Sequence, residues 1–422
     1  MNILIQSATI IDAQSPFNGK QVDILVKNGV IEQLKKGIKA DKNTKVISAK
    51  NLHVSAGWFD MQANLCDPGF EYKEDINSGI QSAAQGGFTH VAVMPSTNPT
   101  LSSKAQIEYV LNKAKGKIVA ILPIGSISEN QEGKDIAELY DMHQSGAIAF
   151  SDDKKSMKNS GLLIRALQYA QLFKGSIITY CNDSTIAHDG KMNESATSTS
   201  LGLKGLPALA EEVIVQRNIA IAEYCNAALH IGPISTKKSV EQIKEAKKKK
   251  LKITASVNAY NLLLDDSNLT DFNTNCKVLP PLRSKEDIAA LKKGIAEGTI
   301  NCITSDHSPE DTESKNVEFD MAAFGMIGLE TAFAVSNTAL GKENLSQLIN
   351  AITVQPRAIT NQAPVTISEK SLACLTLFDP SAEWTVEEKN IKSKSKNTPF
   401  IGAKLTGKVI GIINNNQVHL NS

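Results

Sequence analysis

Apolar and polar positions along this chain change rhythm twice. At the start, Asn2–Asp12 and Gln21–Val26 are apolar runs of strand length, and Lys27-Asn28-Gly29 supplies an Asn-Gly turn into Val30–Leu34. Near the end, Leu372–Phe378 and Lys408–Ile413 are again strand-like, with Asn414-Asn415-Asn416 turning the chain toward Gln417–Leu420. Between them, short apolar runs alternate with longer amphipathic stretches. The runs are Trp58–Gln62, His90–Met94, Ile118–Pro123, Ala147–Ser151, Ile177–Cys181, Ala228–Ile231, Leu251–Ser256 and Asn301–Ser305. Helical periodicity marks Lys104–Ala114, Lys134–Gln144, Gly161–Phe173, Pro207–Cys225, Val240–Lys249 and Ser284–Glu297. Strands that each precede a helix or long connection predict an α/β fold, a (β/α)8 TIM-type barrel rather than an open sheet. The two β-rich ends pair into a small composite β-sandwich. The expected domains are residues 1–54 plus 366–422 for the sandwich and 55–365 for the barrel.

At 422 residues the chain has ample material for a buried core. Its 45 basic and 44 acidic residues nearly cancel, which removes any bulk electrostatic case for nucleic acid. The one basic run, Lys247-Lys248-Lys249-Lys250, closes a helix, where cations suit the dipole; a solvated helix end is the better reading than a phosphate patch. The six cysteines form no C-x-x-C pair and read as reduced thiols. The start lacks the basic and apolar pattern of a signal peptide, and no apolar stretch approaches the roughly 20 residues of a membrane helix. A soluble, cytoplasmic protein is expected.

Chemistry in such barrels sits where the strands end. Those ends carry Gln62, Asn64 and Cys66; Ser96-Thr97-Asn98; Asp152-Asp153; Tyr180, Cys181 and Asn182; Pro233; Asn258, Tyr260 and Asn261; and Asp306-His307-Ser308-Pro309-Glu310. Several surrounding segments carry a resemblance: Asp67-Pro68-Gly69-Phe70-Glu71-Tyr72, Met94-Pro95-Ser96-Thr97-Asn98-Pro99, Pro280-Pro281-Leu282-Arg283, Ser305-Asp306-His307-Ser308-Pro309, Phe324-Gly325-Met326-Ile327-Gly328-Leu329-Glu330-Thr331 and Ser393–Phe400. In order and spacing over the whole chain, the sequence resembles the bacterial dihydroorotases of the amidohydrolase superfamily.

That resemblance implies a zinc site with a His-x-His pair on the first barrel strand, and here the pair falls on Gln62 and Asn64. The implied histidines of strands five and six fall on Tyr180 and Pro233. Asp153, matching the strand-four carboxylate ligand, and Asp306, matching the catalytic aspartate, remain. The implied substrate-gripping arginine falls on Cys66, its asparagine helper on Ser96 and a nearby histidine on Glu310. A thiol cannot replace bidentate arginine–carboxylate recognition, and a glutamate repels an anion.

The expectation is a degenerate dihydroorotase homologue with no tight metal and no cofactor. Asp153 and Asp306 are weak ligand candidates for Mg²⁺ or Ca²⁺ only, with Asn64; two acids hydrogen-bonded to water are the blander reading. Gln62, Asn64, Cys66, Ser96, Tyr180, Asn182 and Glu310 line the pocket, and Asp306 is vestigial unless the protein is active. Non-catalytic members of this family assemble with aspartate carbamoyltransferase, so the resemblance implies that partner; a homodimer with an apolar patch on the barrel flank is also expected. Three alternatives stand beside this reading. One is an active dihydroorotase or related cyclic-amide hydrolase, another a metal-free hydrolase using Cys66 or Cys181 with Asp306 or His307. The third is a small-molecule binding module. His230, inside a strand, reads as a packed core residue, and His307 as a brace for Asp306.

Overall fold

The computed structural model describes residues 1–421. Five strands open the chain: β1 (Asn2–Ile10), β2 (Gln21–Lys27), β3 (Val30–Lys35), β4 (Lys45–Ile47) and β5 (His53–Ala56). Five barrel strands follow, β6 (Trp58–Ala63), β7 (Phe88–Val93), β8 (Ala120–Gly125), β9 (Ala149–Phe150) and β10 (Ile178–Thr179). A short parallel pair, β11 (Met192–Asn193) and β12 (Gly205–Leu206), sits in a connection. The barrel resumes with β13 (Leu229–Ile231), β14 (Ile253–Asn258) and β15 (Cys302–Thr304), and β16 (Leu375–Thr385), β17 (Lys404–Asn414) and β18 (Gln417–Leu420) end the chain.

Strands β6-β7-β8-β9 and β10-β13-β14-β15 form two parallel four-stranded sheets. A parallel bridge between Phe150 and Ile177 joins them on one side, and one between Ala63 and His307 on the other. The result is a closed (β/α)8 barrel. Phe59, Met61, Ala92, Met94, Ile124, Ala149, Ile178 and Cys302 fill its interior. The remaining strands join in one sheet of order β18-β17-β16-β5-β1-β2-β3, with β4 also on β1. Both chain ends therefore contribute to a β-sandwich-type layer with its own core, in which Ile3, Ile24 and Val54 meet Leu375, Leu377 and Ile413.

Most expected elements appear within a few residues of their expected ends. The Lys134–Gln144 helix does not: only Leu139–Gln144 is helical. The Asp152 carboxylate explains this. It accepts hydrogen bonds from the Ile127 and Ser128 amides and the Ser128 hydroxyl, and that hydroxyl accepts one from Gly133 N. Side chains that satisfy the backbone locally compete with helix. Periodicity alone also left unassigned Ile76–Gln85, Ala332–Leu340 and Leu345–Ile359, all helical. No helix among the described residues is long and apolar enough to cross a membrane.

Candidate functional site

Strand β6 alternates its side chains, so Asp60 and Gln62 both turn away from the helices. Asp60 is fully buried and ties β6 to the end of β15, accepting hydrogen bonds from Ser305 N at 3.0 Å and from the Ser305 hydroxyl. Burial pushes its carboxyl up to about 6, against the Ser305 hydrogen bonds that lower it. Two residues further along the same strand, Gln62 Nε2 donates to Asp306 Oδ1 at 2.8 Å.

Asp306 is the hub of the mouth. Its second oxygen, Oδ2, accepts from Lys154 Nζ at 2.7 Å, from Asn258 Nδ2 at 3.1 Å and from the Tyr260 hydroxyl. Tyr260 and Asn258 are themselves linked at 2.8 Å. The Asp306 side chain is 1% exposed and that of Lys154 19%, so the ion pair is largely withdrawn from water. Nearby, Ser96 Oγ donates to Asp153 Oδ2 at 2.7 Å, while Asp153 Oδ1 is buried with no hydrogen-bond partner. Burial raises the Asp153 carboxyl, with Lys154, Ser96 and Asn64 opposing. Cys66, Asp153 and Asp306 all adopt left-handed backbone conformations (φ 59°, 51° and 48°), which non-glycine residues hold only where the surroundings enforce them.

His307 braces this turn. Its Nδ1 accepts from Gly328 N at 3.2 Å and Leu329 N at 3.4 Å, which assigns the ring proton to Nε2. Nε2 faces Glu74 Oε2 at 3.4 Å, and both side chains are fully buried. Burial would raise the Glu74 carboxyl, but His307, Ser393 and Ser78 hold it below the usual range. The C-terminal segment around Ser393 is thereby tied to the barrel mouth.

The structure brings Gln62, Asn64, Ser96, Asp153 and Asp306 together. Glu310 stands apart from them, paired with Lys73 at 2.6 Å. Its charge is met within the protein, which softens the repulsion expected of it. Tyr180 is buried beside Asp306, and burial first, then the Glu211 charge, pushes its hydroxyl well up. Asn182, partly exposed, hydrogen-bonds to none of these groups among the described residues. Burial pushes the Cys66 and Cys181 thiols up to about 12. Thiols so placed are poor nucleophiles at neutral pH, and the cysteine-hydrolase alternative loses its chemistry. His230 is a packed residue, its Nδ1 2.9 Å from Thr254 Oγ1.

The zinc that the resemblance implies does not fit this donor set. Zinc favours imidazole, thiolate and carboxylate, usually four together. Here one carboxylate already accepts four hydrogen bonds, the neighbouring positions are amides, and Pro233 has no donor atom. Among the described residues no three His, Cys, Asp or Glu side chains converge to hold a metal ion.

Sequence reasoning missed Lys154. The signal was present, since it directly follows the Asp152-Asp153 pair at the mouth of β9, but a lysine beside a carboxylate reads as an ordinary surface cation until the fold carries Asp306 to it. Asn258 and Tyr260 were placed at the mouth without a partner; Asp306 is that partner.

The chain's similarities to known proteins are as follows. Residues 53–239 match the "Dihydro-orotase-like" family model. The chain is 41% identical over 420 residues to a dihydroorotase of Acetivibrio thermocellus, covering 99% of this chain and 98% of that protein. It is 42% identical over 414 residues to a dihydroorotase of Syntrophus aciditrophicus, with 97% of each covered. Among solved structures, the L-hydantoinase (dihydropyrimidinase) of Arthrobacter aurescens superposes with a TM-score of 0.84 at 20% identity, covering 99% of this chain and 95% of that one. The dihydropyrimidinase of Brevibacillus agri does so with a TM-score of 0.85 at 20% identity, covering 100% and 95%. At such identity these two speak for the fold alone.

Proposed function

We propose a function from one premise: this chain belongs to the dihydroorotase family. In our reading it is a dihydroorotase-like protein tied to pyrimidine biosynthesis that has lost the family's metal-assisted hydrolysis and serves as a structural partner. The observation carrying this reading is the saturation of Asp306 by Gln62, Lys154, Asn258 and Tyr260. A general base needs a free lone pair within reach of the proton it takes, and this carboxylate already accepts four hydrogen bonds, one on Oδ1 and three crowded on Oδ2. Metal analysis with a dihydroorotate turnover assay tests it. Zinc near one equivalent, or turnover in the usual range of roughly 1–10³ s⁻¹, overturns it.

The second reading is an active cyclic-amide hydrolase converting dihydroorotate to N-carbamoyl-aspartate. What favours it is the identity of about two residues in five with dihydroorotases along nearly the whole chain. The same assay separates the two readings.

Aspartate carbamoyltransferase is the proposed partner, on the resemblance. Co-elution of the two purified proteins at micromolar concentration supports this, and two separate peaks overturn it. A homodimer is proposed on a different observation. The Ala208–Cys225 helix carries apolar residues on its outer side too, with Leu209 53%, Val213 36% and Tyr224 76% exposed and Ala220 also outward, around a central exposed Gln216 and beside exposed Glu223. These positions pair symmetrically about the middle of the helix, 209 with 224 and 213 with 220. A second copy laid antiparallel on a two-fold axis sets Leu209 on Tyr224 and Val213 on Ala220. Val213→Glu is expected to give a monomer by sedimentation; a wild-type monomer overturns the dimer.

A further inference from the structure

The barrel mouth holds two buried carboxylates, Asp153 and Asp306, close enough for each charge to be felt by the other. Two such charges withdrawn from water require a compensating cation. Among the described residues the only side-chain cation bonded to either is Lys154, whose Nζ lies 2.7 Å from Asp306 Oδ2 and 3.4 Å from Ser308 Oγ. Lys154 directly follows Asp153 in the chain, and its positive charge also acts on that carboxylate. Asp153 in turn sits in a left-handed backbone conformation at the end of β9, where the chain turns. The Lys154 side chain is only 19% exposed, and its ammonium is turned inward onto the acid rather than out to water.

We propose that Lys154 is the resident cation of the barrel mouth: a tethered ammonium supplies the charge compensation that the resemblance assigns to a metal, so the fold needs no metal ion. Lys154 then acts as a positioning residue that holds Asp306 against Gln62, Asn258 and Tyr260. The inference rests on the geometry of Asp306 and not on inactivity, and its test reads stability with a chelator or added metal rather than turnover.

The experiment compares thermal melting of the full chain as wild type, Lys154→Arg, Lys154→Met and Lys154→Met/Asp306→Asn, each with EDTA, zinc chloride or manganese chloride. Wild type is expected to melt at the same temperature under all three conditions. Lys154→Met leaves a buried carboxylate unpaired and is expected to melt roughly 3–6 °C lower. Lys154→Arg keeps the charge and restores at least half of that loss. The double variant removes both charges, regains most of the wild-type melting temperature and remains measurable should Lys154→Met fail to fold. The proposal is overturned by a wild type that EDTA destabilises, by Lys154→Met melting with wild type, or by a double variant no more stable than the single one. Because turnover is not read, an active wild type that passes these tests would sink the proposed inactivity and leave Lys154's role intact.

Discussion

Individual residues decide the chemistry of the mouth. Gln62 and Asn64 stand where the resemblance expects two imidazoles, and restoring both is not expected to restore a metal. In Gln62→His/Asn64→His, Lys154 still pairs with Asp306, and Tyr180 and Pro233 still offer nothing on the far side. Zinc measured in the purified double variant is expected to stay well below one equivalent. Asp60 makes a second prediction. Its carboxyl lies near 6 in the folded chain against an ordinary 3.8, so the folded state holds the proton more tightly. The stability from this group is complete below about pH 3.8 and is lost as pH rises through about 6. The whole shift is worth on the order of 3 kcal/mol. Asp60→Asn cannot ionise, so its stability relative to wild type should improve between pH 4 and pH 7 in urea titrations.

At the scale of elements, the mouth is held by turns rather than by strands. The turn after β15 carries Asp306 and is locked by His307, Glu74 and the Gly328–Leu329 amides. Gly328 is required by close approach: a Cβ there would lie 2.2 Å from the Ser305 carbonyl oxygen. Gly328→Ala must push that turn away, and a loss of about 2 kcal/mol is expected in chemical denaturation. The melting deficit should come with a change in near-ultraviolet circular dichroism from Tyr260, which bonds to Asp306. Elements whose boundaries are set by periodicity were legible in the sequence, as with the Ala208–Cys225 helix. The shortened helix at Leu139–Gln144 was not, because Asp152, which competes for its upstream backbone, comes from the segment after β9.

For the whole molecule, buried histidines set the acid limit. Burial depresses His90 to about 3, with the Arg357 charge adding to it, and burial depresses His230 to about 3, with Lys247 adding. The unfolded chain takes up these protons from about pH 6.5 downward while the folded chain does not. The stability they contribute is present above 6.5 and lost as pH falls toward 3, opposite in sign to Asp60 but larger in sum. Unfolding free energy measured in urea should therefore be lower at pH 4.5 than at pH 7. The sequence by itself determined the barrel, the pairing of the chain ends and the absence of imidazole at positions 62, 64, 180 and 233, because apolar period and residue identity are local properties. What occupies the mouth was decided only by the tertiary structure. Lys154, Asn258, Tyr260 and Gln62 lie far from Asp306 along the chain, and closure of the barrel alone brings them within hydrogen-bond reach of one carboxylate.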